Sequence, residues 1–244
     1  MANLATAQTN PDEPESDGEG IIRCRGMRFP DAEHIISRRT RRLLRSNLYE
    51  EREAAAVRAL VRSDDVALEI GAGIGFMSTL MARACNASQV HAFEANPSMI
   101  RYIQRVHALN QVTDRVQVTN AVLGARKGKA TFYERAHFSA SSLEAEPDGE
   151  TSPVVAEHTV EVRNIKTTMK AIKPSVVVCD IEGAEADLVP LMDLSTVRLG
   201  VVELHPQWIG KAGVQAVFDA FHGAGLTFFP KTSNKKVVTF RRDW

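Results

Sequence analysis

Apolar and polar positions divide this 244-residue chain into three stretches. Residues 1–20 are polar, acidic and interrupted by Pro and Gly, a composition that predicts a disordered tail. Residues 21–62 predict an N-terminal helical segment, because DAEHIISRRTRRLLRSNLYEEREAAAVRALVR (31–62) repeats apolar residues at helical spacing, with a break near Ser46–Asn47. Residues 63–244 alternate short apolar runs with amphipathic ones and predict one α/β domain. Strands are expected at Val66–Ile70, Gln89–Phe93, Val116–Asn120, Ser175–Asp180 and Leu199–Leu204. Helices are expected at Gly75–Ala84, Pro97–Ala108, Asn164–Ile172, Ala184–Met192 and Val214–Ala224. Lys129–Tyr133 and Thr159–Arg163 read as short strands around a long polar loop, residues 134–158. Leu226–Pro230 and Lys235–Arg241 read as a closing antiparallel pair. Such alternation implies a mostly parallel sheet covered on both faces, with ligands at the carboxyl ends of its strands.

Composition narrows this picture. A hydrophobic fraction of 44% and a charged fraction of 25% fit a globular domain. No apolar run approaches the roughly 20 residues that span a bilayer, and the first residues show no export signal. Three cysteines without zinc-like spacing suggest reduced thiols, so a cytoplasmic protein is expected. The net charge of zero conceals an asymmetry. Five of the 30 acidic residues lie in residues 1–20, which leaves 25 against 30 basic residues and a formal charge of about +5 elsewhere. Arginines crowd the stretch from Arg23 to Arg45, either as a basic patch or as a solvated helix face. No aromatic residues interleave with them, and the solvated face is the favoured reading.

The candidate chemistry lies at the predicted strand ends. DVALEIGAGIGF (65–76) runs a strand into a glycine turn, where backbone N–H groups are open to a ligand. Gly71, Ala72, Gly73 and Gly75 are therefore cofactor-binding candidates. Glu69, just before the turn, would repel a pyrophosphate but accept hydrogen bonds from an ammonium group. That preference selects S-adenosylmethionine over a dinucleotide. Glu94, followed by Ala95, stands 19 residues beyond Gly75, where a carboxylate accepts ribose hydroxyls. Asn120 and Ala121 end the third strand, beside the expected adenine. Asp180, Glu182 and Glu185 crowd the end of the fourth strand, more acids than helix capping needs. Asp180 could face the methionine end of the cofactor or an acceptor hydroxyl, and Glu182 could do the same or hold its loop. Glu203 and His205 share one strand face, and His205 is the first candidate for a general base, with Asp180 second. His137, in the long loop, could touch substrate. No Asp/Glu/His set has clear ligand spacing, so no metal is expected.

Together, YEEREAAAVRALVRSDDVALEIGAGIGF, VHAFEANPSMIRYIQRVHALN, VVVCDIEGAEADLV and VVELHP resemble the FkbM family of S-adenosylmethionine-dependent methyltransferases. The resemblance implies a Rossmann-like class I fold, with a mostly parallel seven-stranded sheet and an antiparallel C-terminal strand. It also implies O-methylation of a hydroxyl on a small molecule such as a sugar or polyketide. Glu69, Gly71, Gly73 and Glu94 carry over as cofactor positions, and Asp180, Glu182, Gly183 and Glu185 match the family's acidic block. On this reading a nucleic-acid substrate is not expected: the arginine cluster favours one, but no N/D-P-P-Y/F block follows the fourth strand. A nucleic-acid methyltransferase and a non-catalytic cofactor-binding module stand as the alternatives.

Overall fold

The computed structural model describes residues 20–136, 140–145 and 152–243, and these open with a hairpin that the helical reading of 21–62 did not anticipate. β1 (Ile21–Cys24) pairs antiparallel with β2 (Met27–Pro30). Ile22, Cys24, Met27 and Phe29 point into the core, and Arg23 lies outside. The turn between the strands uses positive φ at Arg25 (48°) and Gly26 (80°), the backbone of a tight primed turn. Arginine at the first turn position, where Asn or Asp is usual, hides that signal. Two helices follow, α1 (Arg38–Arg45) and α2 (Glu51–Leu60), parted at the expected break. Apart from Gly20, the acidic tail lies outside the described residues, as does His137.

Alternation then begins. β3 (Val66–Ile70), α3 (Phe76–Arg83), β4 (Gln89–Glu94), α4 (Pro97–Leu109) and β5 (Val116–Asn120) match the predicted elements within two residues. β6 (Val122–Gly124), β7 (Gly128–Arg135) and β8 (Val154–Asn164) form a separate three-stranded sheet in the order β6-β8-β7. The region read as a 134–158 loop is therefore shorter. Its ends belong to a largely exposed ribbon whose polar side chains mask the strand pattern. The chain returns through α5 (Ile165–Ile172), β9 (Val176–Cys179) and α6 (Glu185–Leu188), which passes into a 3-10 turn at Val189–Leu191. β10 (Leu199–Glu203), α7 (Pro206–Gly223), β11 (Thr227–Phe228) and β12 (Val237–Arg241) complete it. α7 starts earlier than its apolar periodicity suggests and is broken at Gly210, where φ is 60°.

The main sheet has seven strands in the order β11-β12-β10-β9-β3-β4-β5. Its internal neighbours from β10 to β5 run parallel, and β12 is antiparallel to both β10 and β11. Alternate residues of each strand feed two cores. Ala67, Val178 and Val201 face a cluster with the hairpin and α2–α4, whereas Leu68, Val177 and Val202 face α5–α7. Helices thus cover both faces, as the alternation predicts. Among the described residues no helix is long and apolar enough to cross a membrane.

At the amino ends of the strands, buried Asp65 accepts from Ser175 Oγ (2.7 Å), Arg62 N (2.7 Å) and Arg198 Nε (2.9 Å). This ties β3, β9 and β10 together and sets their carboxyl ends level. Register then places Ile70 beside both Phe93 and Cys179, and Glu94 beside Asn120. One strand in this edge tolerates no extra atom. A Cβ on Gly200 of β10 would lie 2.4 Å from the ring of Phe221, which itself stacks on Phe240 at 4.3 Å. Gly200→Ala should therefore destabilise the fold by about 1–3 kcal/mol, seen as a lower urea midpoint. An unchanged midpoint would show that the ring has room to yield.

Candidate active site

The glycine turn is held by backbone contacts to β4. The N–H groups of Gly71 and Ala72 both donate to the Phe93 carbonyl, at 3.0 and 3.1 Å. Gly71 has φ +89°, and a Cβ there would sit 1.9 Å from the carbonyl oxygen of Asp180. Only glycine allows the two strand ends to meet this closely. At Gly73 (φ +54°) nothing lies within 4 Å of where a Cβ would be, so the turn presents an open face. Gly75 (φ +73°) starts α3.

Glu69 is 2% exposed. Its Oε1 accepts from Ser78 N at 3.0 Å, at the start of α3, and its Oε2 is buried without a hydrogen-bond partner. Burial pushes its pKa up to about 8, against the pull of the Ser78 donors. An orphaned carboxylate oxygen at the strand end before the glycine turn fits a ligand ammonium group. Glu94 accepts from Gly73 N through Oε2 and from Asn96 N through Oε1, both at 2.8 Å. Burial raises its pKa, and the backbone N–H groups of Asn96 and Gly73 oppose that. The Asn120 amide donates to the carbonyls of Glu94 (2.9 Å) and Ala95 (3.0 Å), and Ala121 N donates to Glu94 (3.1 Å). Asn120 thus braces the Glu94 strand end, and its amide nitrogen is already engaged there.

The second half of the site adjoins the first through the Gly71–Asp180 contact. Asp180 N donates to Ile70 (3.0 Å), while Asp180 Oδ1 is a buried atom without a hydrogen-bond partner. Burial raises the Asp180 pKa, the carboxylates of Glu203, Glu182 and Glu50 raise it further, and His205 pulls it down. Glu182 takes a left-handed backbone (φ 51°), which aims its Oε2 at His205 Nε2, 3.0 Å away. On the other side of the ring, fully buried Glu185 places Oε1 2.7 Å from His205 Nδ1 and accepts from Gly183 N at 3.1 Å. Trp208 stacks on the imidazole, with ring centroids 5.2 Å apart and an interplanar angle of 20°.

His205 was expected to be the general base, and its surroundings argue otherwise. Burial alone would lower its pKa, but the hydrogen bonds and charges of Glu182 and Glu185 outweigh that and push it up to about 10. Both nitrogens face carboxylates, so the ring is an imidazolium at neutral pH and has no lone pair to offer. The same fact bears on metals. Asp180, Glu203 and His205 hold potential ligand atoms within 4.8 Å of one another, a grouping that sequence spacing did not reveal. A protonated ring cannot ligate, so a metal there would first have to displace the ring's proton.

Other residues reach this edge unannounced. Tyr49 packs edge-on against Phe76 at 5.2 Å, and the charge of Glu50 raises the pKa of Asp180. Burial and the nearby carboxylate of Glu53 raise that of Glu50 itself. They stand at the joint before α2, where helical periodicity carries no hint of a site; the left-handed φ of Glu50 (43°) is a tertiary feature. With Glu69, Asp180, Glu182 and Glu203 they make the edge strongly acidic and suited to a cationic ligand.

The family model described as the TRM5/TYW2 methyltransferase domain matches residues 40–129. That span contains Glu69, the glycine turn, Glu94 and Asn120. Among solved structures, a transferase described as putative, PH0793 of Pyrococcus horikoshii, is 12% identical, with a TM-score of 0.50 over 93% of this chain and 72% of that one. TYW2 of M. jannaschii in complex with AdoMet is 13% identical (TM-score 0.47; 94% and 89% covered). TYW2 of P. horikoshii in complex with MeSAdo is 12% identical (TM-score 0.48; 92% and 70% covered). A comparison with curated proteins finds no match.

The chain is a class I methyltransferase, and its cofactor is S-adenosylmethionine. The FkbM resemblance is overturned by the TRM5/TYW2 match. Its block order is common to the fold, and its most specific part, DIEGAE with VELHP, lies outside the matched span. Here those residues have a local physical task, the clamp around His205. The expectation of a small-molecule hydroxyl acceptor rather than a nucleic acid is overturned by the same match.

The clamp has a pH signature. An unfolded histidine titrates near about 6.5. The clamp's stabilisation is therefore complete below that pH and is lost as the pH rises through about 10. Denaturation measurements should show stability falling across that window, and falling less in Glu182→Gln. Ring resonances that titrate near 6.5 in the unaltered protein would refute the clamp.

Proposed function

We propose that this methyltransferase acts on a nucleic acid, as the tRNA-modifying TRM5/TYW2 type does. The observation that carries this reading is the match over residues 40–129, which takes in both carboxylates of the cofactor half. The uneven charge, about +5 outside residues 1–20, supports a polyanionic partner. A cytoplasmic setting suits it too, since the three cysteines are free thiols.

Within this reading, Glu69 receives the ammonium group of S-adenosylmethionine through its orphaned Oε2, and Glu94 receives the ribose hydroxyls. Gly71, Ala72, Gly73 and Gly75 shape the wall against the cofactor. Ala95, Asn120 and Ala121 border the adenine, with Asn120 acting through the backbone it braces. When bound, the cofactor supplies an electrophilic methyl group and leaves as a neutral thioether. Asp180 is the proton acceptor. Its Oδ1 has no hydrogen-bond partner, and its raised pKa makes it a stronger base than an exposed aspartate. It takes the proton that the nucleic-acid acceptor atom loses as that atom's lone pair bonds to the methyl carbon. Glu182, His205 and Glu185 position Asp180, with the imidazolium balancing the nearby carboxylates.

Two measurements test the assignment. A cation favours ionised Glu69, so cofactor binding should release close to one proton at pH 7 and tighten as the pH rises toward about 8. Calorimetry in buffers of different ionisation enthalpy reads that release, and Glu69→Gln should abolish it. For turnover, Asp180→Asn should slow labelled-methyl transfer to RNA by about 10²–10⁴-fold. Undiminished transfer would remove Asp180 from the chemistry.

A further inference from the structure

The arginines between Arg23 and Arg45 have no part in the chemistry above. On α1, Arg38, Arg41, Arg42 and Arg45 fall three or four residues apart and share one side of the helix, while Thr40 and Leu44 are buried. These four arginines and Ser46 line one open groove. Asp31 engages Arg41 (2.6 Å) and reaches Arg45 (3.4 Å). Arg38 and Arg42 are exposed, and neither has a carboxylate partner among the described residues. A second concavity is lined by Arg23, Arg25 and Arg58, with Gly26 and Asn47. There the Nε of Arg25 is a buried donor with no hydrogen-bond partner, a group that an anion would satisfy.

The two concavities adjoin. Ser46 lines the first and Asn47 the second, and Asn47 Oδ1 accepts from the backbone N–H of Arg25 at the hairpin turn. α1 itself packs on β1. From this junction the chain passes through Leu48, 48% exposed, to Tyr49 and Glu50 at the acidic edge. The two cationic concavities and the carboxylate-rich site are therefore joined by a stretch of only a few residues.

We infer that the face formed by α1 and the β1–β2 turn docks the phosphodiester backbone of a structured RNA, with the target base reaching the acidic edge past Leu48 and Tyr49. The inference rests on the nucleic-acid reading above and names the surface that serves it. Guanidinium forks match phosphate oxygens. No aromatic side chain lines either concavity, so the contact is with backbone and not with stacked bases. The acidic edge repels phosphate, so the backbone must rest elsewhere while an uncharged base enters. Separate basic and acidic surfaces a few residues apart meet both demands.

The test uses the full chain and an unmodified stem–loop RNA transcript, with affinity followed by fluorescence anisotropy across a salt series. Arg38→Ala/Arg42→Ala/Arg45→Ala and, separately, Arg23→Ala/Arg58→Ala should each weaken binding at least tenfold. They should flatten the plot of log affinity against log salt by about 2–3 for the triple variant and about 2 for the double. S-adenosylmethionine affinity should stay the same in both, which shows that they are folded. Unchanged RNA affinity and slope in both variants, while the unaltered chain still methylates RNA, would overturn this surface and leave the acceptor reading intact. An unaltered chain that neither binds nor methylates RNA would overturn both. Poly-glutamate binding as tightly as RNA would reassign the face to an acidic protein.

Discussion

The closest constraint among the described residues is the passage of the Asp180 carbonyl over Gly71, where a side chain would leave only 1.9 Å. β3 and β9 are hydrogen-bonded neighbours, and Ile70 accepts from Asp180 N as the strands end. That contact joins the two halves of the site. The glycine turn and the Asp180 strand end thereby become one wall. The Asp65 cluster at the opposite edge sets the register that makes the contact possible.

Electrostatics divides the labour beyond this joint. The edge gathers carboxylates from four strands and from the joint before α2, and burial together with mutual repulsion raises several of their pKa values. Such a cluster favours a cation and penalises an anion. One positive charge is built in, the His205 ring between Glu182 and Glu185, and it lowers the cost of holding the remaining carboxylates together. A cofactor carrying an ammonium and a sulfonium group supplies more. The basic residues gather instead on the hairpin turn and α1, a few residues from this edge along the chain.

Much of this was legible from residue order. The apolar runs located the main strands to within two residues, since each buried parallel strand is a short continuous apolar stretch bounded by turns. The strand–helix turn at Gly71–Gly75, with Glu69 before it and Glu94 at the neighbouring strand end, followed from the same pattern. Three features were not legible. The hairpin at residues 21–30 lay among arginines that read as a helix face. The β7–β8 ribbon lay among polar residues that read as a loop. The family was read from an acidic block whose local task, holding His205, is invisible in one dimension, and the match over residues 40–129 corrected it.

The sequence by itself determined the alternating fold, its carboxyl-end edge and the residue types placed along it, because those depend on periodicity and on local turn chemistry. Tertiary structure alone decided what each ionisable group does. His205 appears in sequence as a histidine near a strand end, free to accept a proton. In the fold, Glu182 and Glu185 reach it from another element and hold it charged, while the neighbouring Asp180 keeps an oxygen without a hydrogen-bond partner. Protonation state depends on burial and on charges a few ångströms away, and those distances exist only after the chain has folded.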